Sequence, residues 1–356
     1  MELSPAFTRN GSEPAPALAA DPFPDYPLAW YLFGPAAALR RRPFTRRLLG
    51  RELVAFRTAS GRVAVLDARC AHLGADLGRG RVVGEAIQCP YHHWQYGPDG
   101  ACVHAPAQPD RPPRARQTCY PAVERHGQVF FFNGPEPLFP LPFFPGERPE
   151  DFAAARPLLF HGDFSWLMFA ANTFDVQHWH GVHSRRLIGE PEVDGPHPLA
   201  RRTRFRAQVV GRSLFDRLTR WFAGGEVAFT ITNWGGTVML VSAAFRTVRS
   251  YGLIASQPQG PGLPLRVEVL VFARRSRWRL ARALLEPLVL RVRRLFTRGF
   301  VGDEFEELAG IRYNPHGLIA ADRAVLDYFR WAAALPRDPR FDGGAGAACG
   351  LASAAR

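Results

Sequence analysis

Two cysteine–histidine pairs are the residues of this sequence best placed to do chemistry. One residue separates Cys70 from His72, two separate Cys89 from His92, and sixteen lie between the two pairs. Together the pairs offer two thiolates and two imidazoles. That set suits a [2Fe–2S] cluster in which one iron is bound by cysteine and the other by histidine, and in principle also a tetrahedral Zn²⁺. The spacing therefore predicts a metal centre of one of these two kinds.

Short apolar runs bounded by turn residues predict the elements that position these pairs. Residues 53–57 and 63–66 have the composition of strands, and the Ala-Ser-Gly turn at 59–61 separates them. Residues 82–87 predict a further short strand pair, and residues 129–132 predict a buried strand. A zinc ribbon would more usually repeat Cys-x-x-Cys knuckles. We therefore expect a small all-β domain with both ligand loops at one tip, and we favour the iron–sulfur cluster.

A second group of metal-binding residue types follows further along the chain. Asp175 and His178 are three residues apart and would share one face of a helix. His183 lies five residues beyond His178 and can converge with it only if the helix breaks, which Gly181 allows. Two histidines and a carboxylate on one face bind non-haem Fe(II) and leave positions open for O₂. A histidine-rich helix end near solvent is the alternative interpretation.

Together, the two groups resemble the motifs of Rieske non-haem iron oxygenases. The resemblance covers nearly all of residues 23–338 and is most specific at the cysteine–histidine pairs. The respiratory-chain type of Rieske protein has two further cysteines joined by a disulfide, at positions that here are Ala75 and Tyr91. The resemblance therefore points to the oxygenase type. The cluster ligands that it implies are Cys70 and Cys89 on one iron and His72 and His92 on the other.

The resemblance also implies roles for the second group. His178 and His183 would bind a mononuclear Fe(II). Asp175 would not be a ligand but would bridge to a cluster histidine of the neighbouring subunit and carry the electron path. Asn172, three residues before Asp175, could hydrogen-bond beside the ligands. O₂ would be the co-substrate, and electrons would come from NAD(P)H through a separate reductase or ferredoxin.

The third iron ligand of this family is an acidic residue far along the chain. The best match lies in residues 299–308, at a predicted helix start, where we take Asp303 as the ligand. Glu304, one residue away, and Asp322 remain as alternatives. Carboxylates are favourable at a helix N-terminus without any metal, so the position alone does not choose among them.

The substrate class is implied by a looser part of the resemblance. The pattern Phe300, Asp303 and Leu308, followed by Asn314-Pro315 and Arg330-Trp331, is similar to 3-ketosteroid 9-alpha-hydroxylase oxygenase components and cholesterol 7-desaturases. It implies hydroxylation or desaturation of a bulky apolar molecule such as a sterol. Natural-product tailoring by oxidative cyclisation or demethylation is an alternative. A Rieske electron-transfer protein without oxygenase activity is an alternative of another class.

The expected fold class is α+β, with an all-β Rieske [2Fe–2S] domain followed by a catalytic domain whose antiparallel sheet is covered by helices. Strand-like runs between residues 207 and 271 predict the sheet, and helical runs from about residue 277 onward predict the cover. The resemblance also implies a homotrimer, because the electron path of the family crosses a subunit boundary. The expected segments are a disordered tail at 1–22, the Rieske domain at 23–140, the catalytic domain at 141–338 and a disordered tail at 339–356.

Composition narrows the classes of partner. The formal net charge is +13, and all 45 basic residues are arginine, spread along the chain without a nucleic-acid-binding motif. A basic surface would attract an acidic electron donor such as a ferredoxin. Five cysteines in 356 residues, with two assigned to iron, argue against a secreted disulfide scaffold and favour a reducing cytoplasm. No apolar run has membrane-spanning length.

One arginine-rich segment, residues 275–296, has apolar and basic positions that partly separate on a helical wheel around Pro287. Such a helix could lie on a membrane surface, where lipophilic substrates collect. A catalytic-domain helix with its basic face in water is the interpretation that we favour.

Overall fold

Short strands make up the first part of the chain, because turn residues interrupt it every few positions. The computed structural model describes residues 22–40 and 42–338. The first strands in this range are β1 (Trp30–Pro35), β2 (Phe44–Leu48), β3 (Arg51–Arg57), β4 (Val63–Asp67), β5 (Arg81–Val83), β6 (Ala86–Gln88), β7 (Gln95–Tyr96), β8 (Cys102–His104), β9 (Cys119–Tyr120), β10 (Ala122–Arg125) and β11 (Gln128–Phe132).

These strands form three antiparallel sheets, in the orders β1–β11–β10, β2–β3–β4–β9 and β5–β6–β7–β8. The hairpin predicted for residues 53–66 is present as β3 and β4. Another hairpin joins β10 to β11 through His126 and Gly127, whose φ angles of 52° and 71° suit a two-residue type I′ turn. The loops that follow β4 and β6 carry the two cysteine–histidine pairs, so the sheets bring both pairs to one tip.

Longer strands follow and form a single large sheet. They are β12 (Phe152–Ala154), β13 (Leu158–Gly162), β14 (Arg185–His197), β15 (Ala200–Val209), β16 (Glu226–Trp234), β17 (Val238–Phe245), β18 (Arg249–Gln257) and β19 (Leu265–Arg274). The order is β12–β19–β18–β17–β16–β15–β14, with β13 also paired to β19, and every pairing is antiparallel.

Helices cover this sheet. They are α1 (Trp166–Ala171), α2 (Val176–Gly181), α3 (Leu214–Ala223), α4 (Arg279–Glu307) and α5 (Arg323–Ala333). Phe169 of α1, Val301 of α4 and Tyr328 of α5 pack with Val267 and Val269 of β19 in one buried cluster. The α+β fold expected from the sequence is therefore confirmed. None of the helices among the described residues is long and apolar enough to cross a bilayer.

The two groups of strands share a hydrophobic core. Trp30 and Phe131 of the first group lie in the same buried cluster as Leu240 and Phe272 of the large sheet. A hydrogen bond from the Thr237 hydroxyl to the Trp30 carbonyl, 3.0 Å long, ties the groups together further. The predicted domain boundary near residue 140 falls between β11 and β12 and stays a prediction. The predicted tails lie outside the described residues, apart from residue 22.

Candidate metal centres

Backbone hydrogen bonds shape the two loops that carry the cysteine–histidine pairs. In the first loop the N–H of Cys70 donates to the Ala75 carbonyl at 2.9 Å, and the N–H of Gly74 donates to the Cys70 carbonyl at 2.8 Å. Gly74 has a φ of 76°, which glycine adopts without strain. In the second loop the N–H of Cys89 donates to the Trp94 carbonyl at 2.8 Å. These turns bring the two thiols within hydrogen-bonding reach of each other.

The cysteines of this tip lie inside and the histidines lie toward solvent. Cys70 and Cys89 are 4% and 2% exposed, whereas His72 is half-buried and His92 is exposed. The two imidazole rings approach to 4.7 Å between centroids. The Nδ1 atom of His72 is buried without a hydrogen-bond partner, which is costly unless that atom binds a metal. The four side chains therefore fit a cluster with an inner cysteine-bound iron and an outer histidine-bound iron.

Hydrogen-bond donors surround the buried sulfurs. Burial raises the pKa of the Cys89 thiol, and hydrogen bonds from the backbone N–H groups of Tyr91 and His92 oppose that rise. The Tyr96 hydroxyl lies 3.2 Å from the Cys70 sulfur. Donors of this kind stabilise bound thiolates, and hydrogen bonds to the sulfurs help to set the cluster's reduction potential. Sequence reasoning missed Tyr96, which lies four residues past His92.

The second centre is built on two short helices that precede β14. A 3₁₀ turn at Asn172–Phe174 follows α1, and Asp175 then caps α2 by accepting two backbone N–H groups of its first turn. Because α2 ends at Gly181, His183 lies beyond the helix, and its ring comes within 4.6 Å of the His178 ring between centroids. The break predicted at Gly181 is present, and the two imidazoles converge.

Glu304 of α4 completes a buried triad with these imidazoles. One ligand atom from each of His178, His183 and Glu304 lies within 4.8 Å of the other two. The Asn172 amide nitrogen donates to Glu304 Oε1 at 2.7 Å and lies 3.0 Å from His178 Nε2. Asn172 thus contacts two members of the triad. Two histidines and one carboxylate are the donor set of non-haem Fe(II) sites with open positions.

Burial disfavours charge on all three members of the triad. It lowers the pKa of His178 to about 4. It also lowers the pKa of His183 to about 2, with His178 and Arg185 adding to the effect. Burial raises the pKa of Glu304 to about 7, against the hydrogen bond from Asn172. A divalent cation needs neutral imidazoles and favours an ionised carboxylate, so the donor chemistry fits a metal ion. The Nδ1 atom of His178 is also buried without a hydrogen-bond partner.

Asp303 does not face the triad. Its side chain is exposed, whereas that of Glu304 is buried among the ligand residues. The expectation that Asp303 supplies the third ligand is therefore corrected in favour of Glu304. Asp322 is half-buried and lies outside the triad. The signal that could have found Glu304 is its spacing from Val301 of α4 and from Leu308, the residue directly after α4, which are both buried at helical spacing from it.

An aromatic wall borders the triad. The Phe300 ring stacks on His183 with 4.0 Å between centroids and 6° between planes. The Trp179 ring lies 5.2 Å from the His183 ring between centroids, and Phe205 and Phe229 pack against Trp179 at 4.6 and 5.1 Å between centroids. Aromatic rings therefore line one side of the two imidazoles, with the Arg185 guanidinium 5.7 Å from the Phe300 ring centroid. An aromatic wall suits the apolar part of a ligand.

The fold and the two donor sets define a protein with a cysteine–histidine iron–sulfur tip and a separate buried metal triad. The family model described as the Rieske [2Fe–2S] domain matches residues 29–121. This stretch contains both cysteine–histidine pairs, so the chain carries a Rieske [2Fe–2S] domain.

Curated relatives share sequence with part of the chain. Aminopyrrolnitrin oxygenase PrnD of Pseudomonas fluorescens is 38% identical over 175 residues, which are 44% of this chain and 46% of that protein. The oxygenase component of 3-ketosteroid-9-alpha-monooxygenase of Rhodococcus rhodochrous is 35% identical over 114 residues, which are 32% of this chain and 30% of that protein. The chain thus spans less than half the length of the curated relatives that it matches.

Solved structures share the fold over most of the chain. Dicamba monooxygenase bound to dicamba aligns with a TM-score of 0.60 and 20% identity over 86% of this chain and 96% of that one. A mutant of NdmA from Pseudomonas putida with theobromine aligns with a TM-score of 0.61 and 18% identity, over 86% and 89% of the two chains. Together with the Rieske domain, these relatives and neighbours confirm the resemblance to Rieske oxygenase components.

Proposed function

We propose that this chain is the terminal oxygenase component of a Rieske non-haem iron oxygenase. The observation that carries the proposal is the convergence of His178, His183 and Glu304 in a buried triad on a chain that also has a Rieske domain. A pure electron carrier has no use for the triad. A buried carboxylate between two neutral imidazoles is costly without a cation to compensate it.

Each metal group has its own residues in this proposal. Cys70, Cys89, His72 and His92 would hold the [2Fe–2S] cluster, and His178, His183 and Glu304 would hold Fe(II). When bound, the cluster supplies single electrons, and the iron supplies open coordination positions for O₂. Asn172 orients the Glu304 carboxylate and His178 through its amide. Phe300 holds the His183 ring in one plane by stacking on it.

The aromatic wall favours an apolar substrate. Trp179, Phe205, Phe229 and Phe300 contact one another or the triad and offer no charged group for a polar ligand. We propose hydroxylation or desaturation of a bulky apolar small molecule, with sterols as the first class to test, because one relative is named for a 3-ketosteroid. A tailoring reaction on a natural product is the second candidate, because the relative at 38% identity is named for aminopyrrolnitrin.

Partners follow from the same proposal. The relatives named as oxygenase components support a separate ferredoxin or reductase, fed by NAD(P)H, as the electron donor. We also propose a homotrimer in which Asp175 meets a cluster histidine of the neighbouring subunit. Asp175 is half-buried beside the triad as the cap of α2. Free cysteines at 70, 89, 102 and 119 support a reducing cytoplasm as the compartment.

Two neighbouring carboxylates provide the test of this function. Glu304→Gln should lose the mononuclear iron and all oxygenation, while Asp303→Asn, one residue away and exposed, should keep both. Iron analysis should give about three irons per chain for the wild type and about two for Glu304→Gln. The visible absorption of the cluster should be the same in all three proteins. Loss of iron from Asp303→Asn but not from Glu304→Gln would contradict the proposal.

A substrate screen completes the test. The reduced protein, its electron donor and O₂ are incubated with a panel of steroids and aromatic natural products, and products are followed by mass spectrometry. Oxygenated, desaturated or cyclised products from one class, absent with Glu304→Gln, would support the proposal and choose between the two candidates. A protein that passes electrons to acceptors but gives no product with any member, and shows two irons per chain, would be a Rieske electron carrier.

A further inference from the structure

Charged side chains hold the first part of α4 to the body of the protein. Of the described residues 279–300, Glu286 alone is buried. Its carboxylate accepts the backbone N–H of Ser276 at 2.7 Å. Arg293 and Arg294 donate to backbone carbonyls of neighbouring segments at 2.7 and 3.0 Å. Polar groups therefore occupy the side of α4 that faces the protein. A surface helix of a globular protein usually has its apolar residues on that side.

Most large apolar side chains of residues 278–295 are exposed. Trp278 is 78% exposed and Leu284 is 64% exposed. The exposed leucines and valines recur at helical spacing along one side of α4, and Trp278 directly precedes the helix. The expectation of a catalytic-domain helix with its basic face in water holds only in part, because the apolar side chains are in water as well. This surface, the outer face of α4, consists of Trp278, Leu280, Leu284, Leu285, Leu288, Val289, Val292 and Leu295.

Arginine surrounds the outer face of α4. Residues 275–302 contain eight arginines and a single acidic residue, the buried Glu286. Along one flank runs a shallow groove of about 440 Å³, which includes Arg156, Arg291 and Arg294 in its lining. No acidic side chain is among the described residues that line this groove. The helix thus combines exposed hydrocarbon with a concentration of positive charge.

We propose that the outer face of α4 binds the surface of an anionic lipid membrane. A basic helix that presents leucine and tryptophan outward has the composition of interfacial helices, whose apolar face enters the boundary between headgroups and acyl chains. Arginine forks suit lipid phosphates, and the groove with Arg291 and Arg294 places them beside the leucines. Trp278 lies at the end of the face, as tryptophan does at membrane–water boundaries.

Charge favours a membrane over the other occupants of such a face. A second copy of this chain would bring arginine against arginine on a protein of net charge +13. A soluble acidic protein would satisfy the arginines but would not supply hydrocarbon for a row of leucines. A bilayer that contains anionic lipid offers both. The inference concerns only residues 275–302 with Arg156 and does not depend on the proposed oxygenase function.

Vesicle flotation of the full-length protein tests the inference. The wild type should float with vesicles of equal parts phosphatidylcholine and phosphatidylglycerol at low salt, and should not float with phosphatidylcholine alone. The double variant Leu284→Ser/Leu288→Ser should bind the mixed vesicles at least tenfold more weakly. Leu214→Ser is the matched control, because Leu214 is a leucine of similar exposure, 66%, on α3. Its binding should equal that of the wild type.

Two further variants separate charge from hydrocarbon contact. Arg291→Gln should weaken binding about fivefold, the effect of one basic residue near an anionic surface. Vesicles with brominated acyl chains should quench tryptophan fluorescence in the wild type and much less in Trp278→Phe. Trp221→Phe is the control, since Trp221 is 74% exposed but lies on α3, and it should leave the quenching unchanged.

Three results would overturn the inference. The first is a wild type that does not bind the mixed vesicles. The second is equal binding by the wild type and the double leucine variant. The third is a molar mass in solution that falls in Leu284→Ser/Leu288→Ser but not in Leu214→Ser, which would assign the outer face of α4 to an interface between copies of the chain. All substituted side chains are exposed, so the variants should fold, and circular dichroism checks this.

Discussion

The cluster tip and the buried triad differ in how far apart their ligands lie along the chain. All four candidate cluster ligands fall within residues 70–92, on two loops that close through their own backbone hydrogen bonds. In the triad, Glu304 lies 126 residues beyond His178 and 121 beyond His183. The first centre depends on local turn geometry, whereas the second depends on the packing of α4 against the turns around α2. We therefore expect that a substitution can remove either metal centre and leave the other in place.

The largest effect that tests this difference is the loss of one whole centre. Cys89→Ser should abolish the visible absorption of the cluster and leave about one iron per chain, because the triad lies on other elements. Cys102→Ser is the control, since Cys102 is a free cysteine of the same domain with no assigned ligand role. It should keep about three irons. Loss of all iron from Cys89→Ser would show that the two centres are not independent.

A smaller effect is expected from the contact that bridges the triad. Asn172→Ala removes the amide that touches both Glu304 and His178. Residues that orient metal ligands change metal affinity about 10- to 100-fold, so Fe(II) affinity should fall by that amount with the cluster absorption unchanged. Titration with Fe(II) of protein from which the mononuclear iron has been removed measures this affinity. Unchanged affinity would mean that the Asn172 contacts do not position the ligands.

Within the cluster tip, the Tyr96 hydroxyl offers a finer test. Tyr96→Phe removes one hydrogen bond to the Cys70 sulfur and should lower the reduction potential of the cluster. If the hydrogen bond stabilises the reduced cluster by about 1 kcal/mol, its loss lowers the one-electron reduction potential by about 40 mV. Redox titration followed by visible absorption measures the shift. A potential equal to that of the wild type would show that the hydroxyl does not contact the bound thiolate.

The smallest expected effect concerns the core that joins the two regions. Burial lowers the pKa of His126 to about 4, and Arg125 and Arg275 add to the effect. The imidazole packs on Phe272 at 4.9 Å between centroids. Between about pH 6.5 and pH 4 the unfolded chain binds a proton at this residue more readily than the folded chain does, so this residue lowers stability as the pH falls through that range.

His126→Asn isolates that contribution, because asparagine tolerates the positive φ of this turn. Thermal unfolding followed at several pH values should show a weaker loss of stability between pH 6.5 and pH 4 in the variant than in the wild type. The comparison uses the pH dependence, so a constant loss of packing does not affect it. Equal pH dependence in the two proteins would contradict the lowered pKa of His126.

The sequence was most informative where ligand chemistry is local. The spacing of Cys70 to His92 predicted the cluster loops, and the hairpin of β3 and β4 followed from apolar runs and a turn. The convergence of His178 with His183 was also predictable, since it required only a helix break at Gly181. These features depend on backbone geometry over a few residues, so few other local structures are compatible with the sequence.

The third ligand could not be fixed in the same way. Asp303 and Glu304 are neighbours of the same charge type, and only the rotation of α4 about its axis decides which of them faces the triad. That rotation is set by packing of Val301 and Leu308 against elements far away in sequence. The outer face of α4 is a similar case. A helical wheel separates the apolar from the basic positions but does not show which side packs against the rest of the protein.

Iron-edge anomalous diffraction from crystals of the purified, iron-loaded protein tests the central claim most directly. The account predicts two separate sites of anomalous density in each chain. One lies among Cys70, His72, Cys89 and His92, and the other among His178, His183 and Glu304. Density at the first site alone, or a second iron bound through Asp303 with Glu304 turned away, would contradict it.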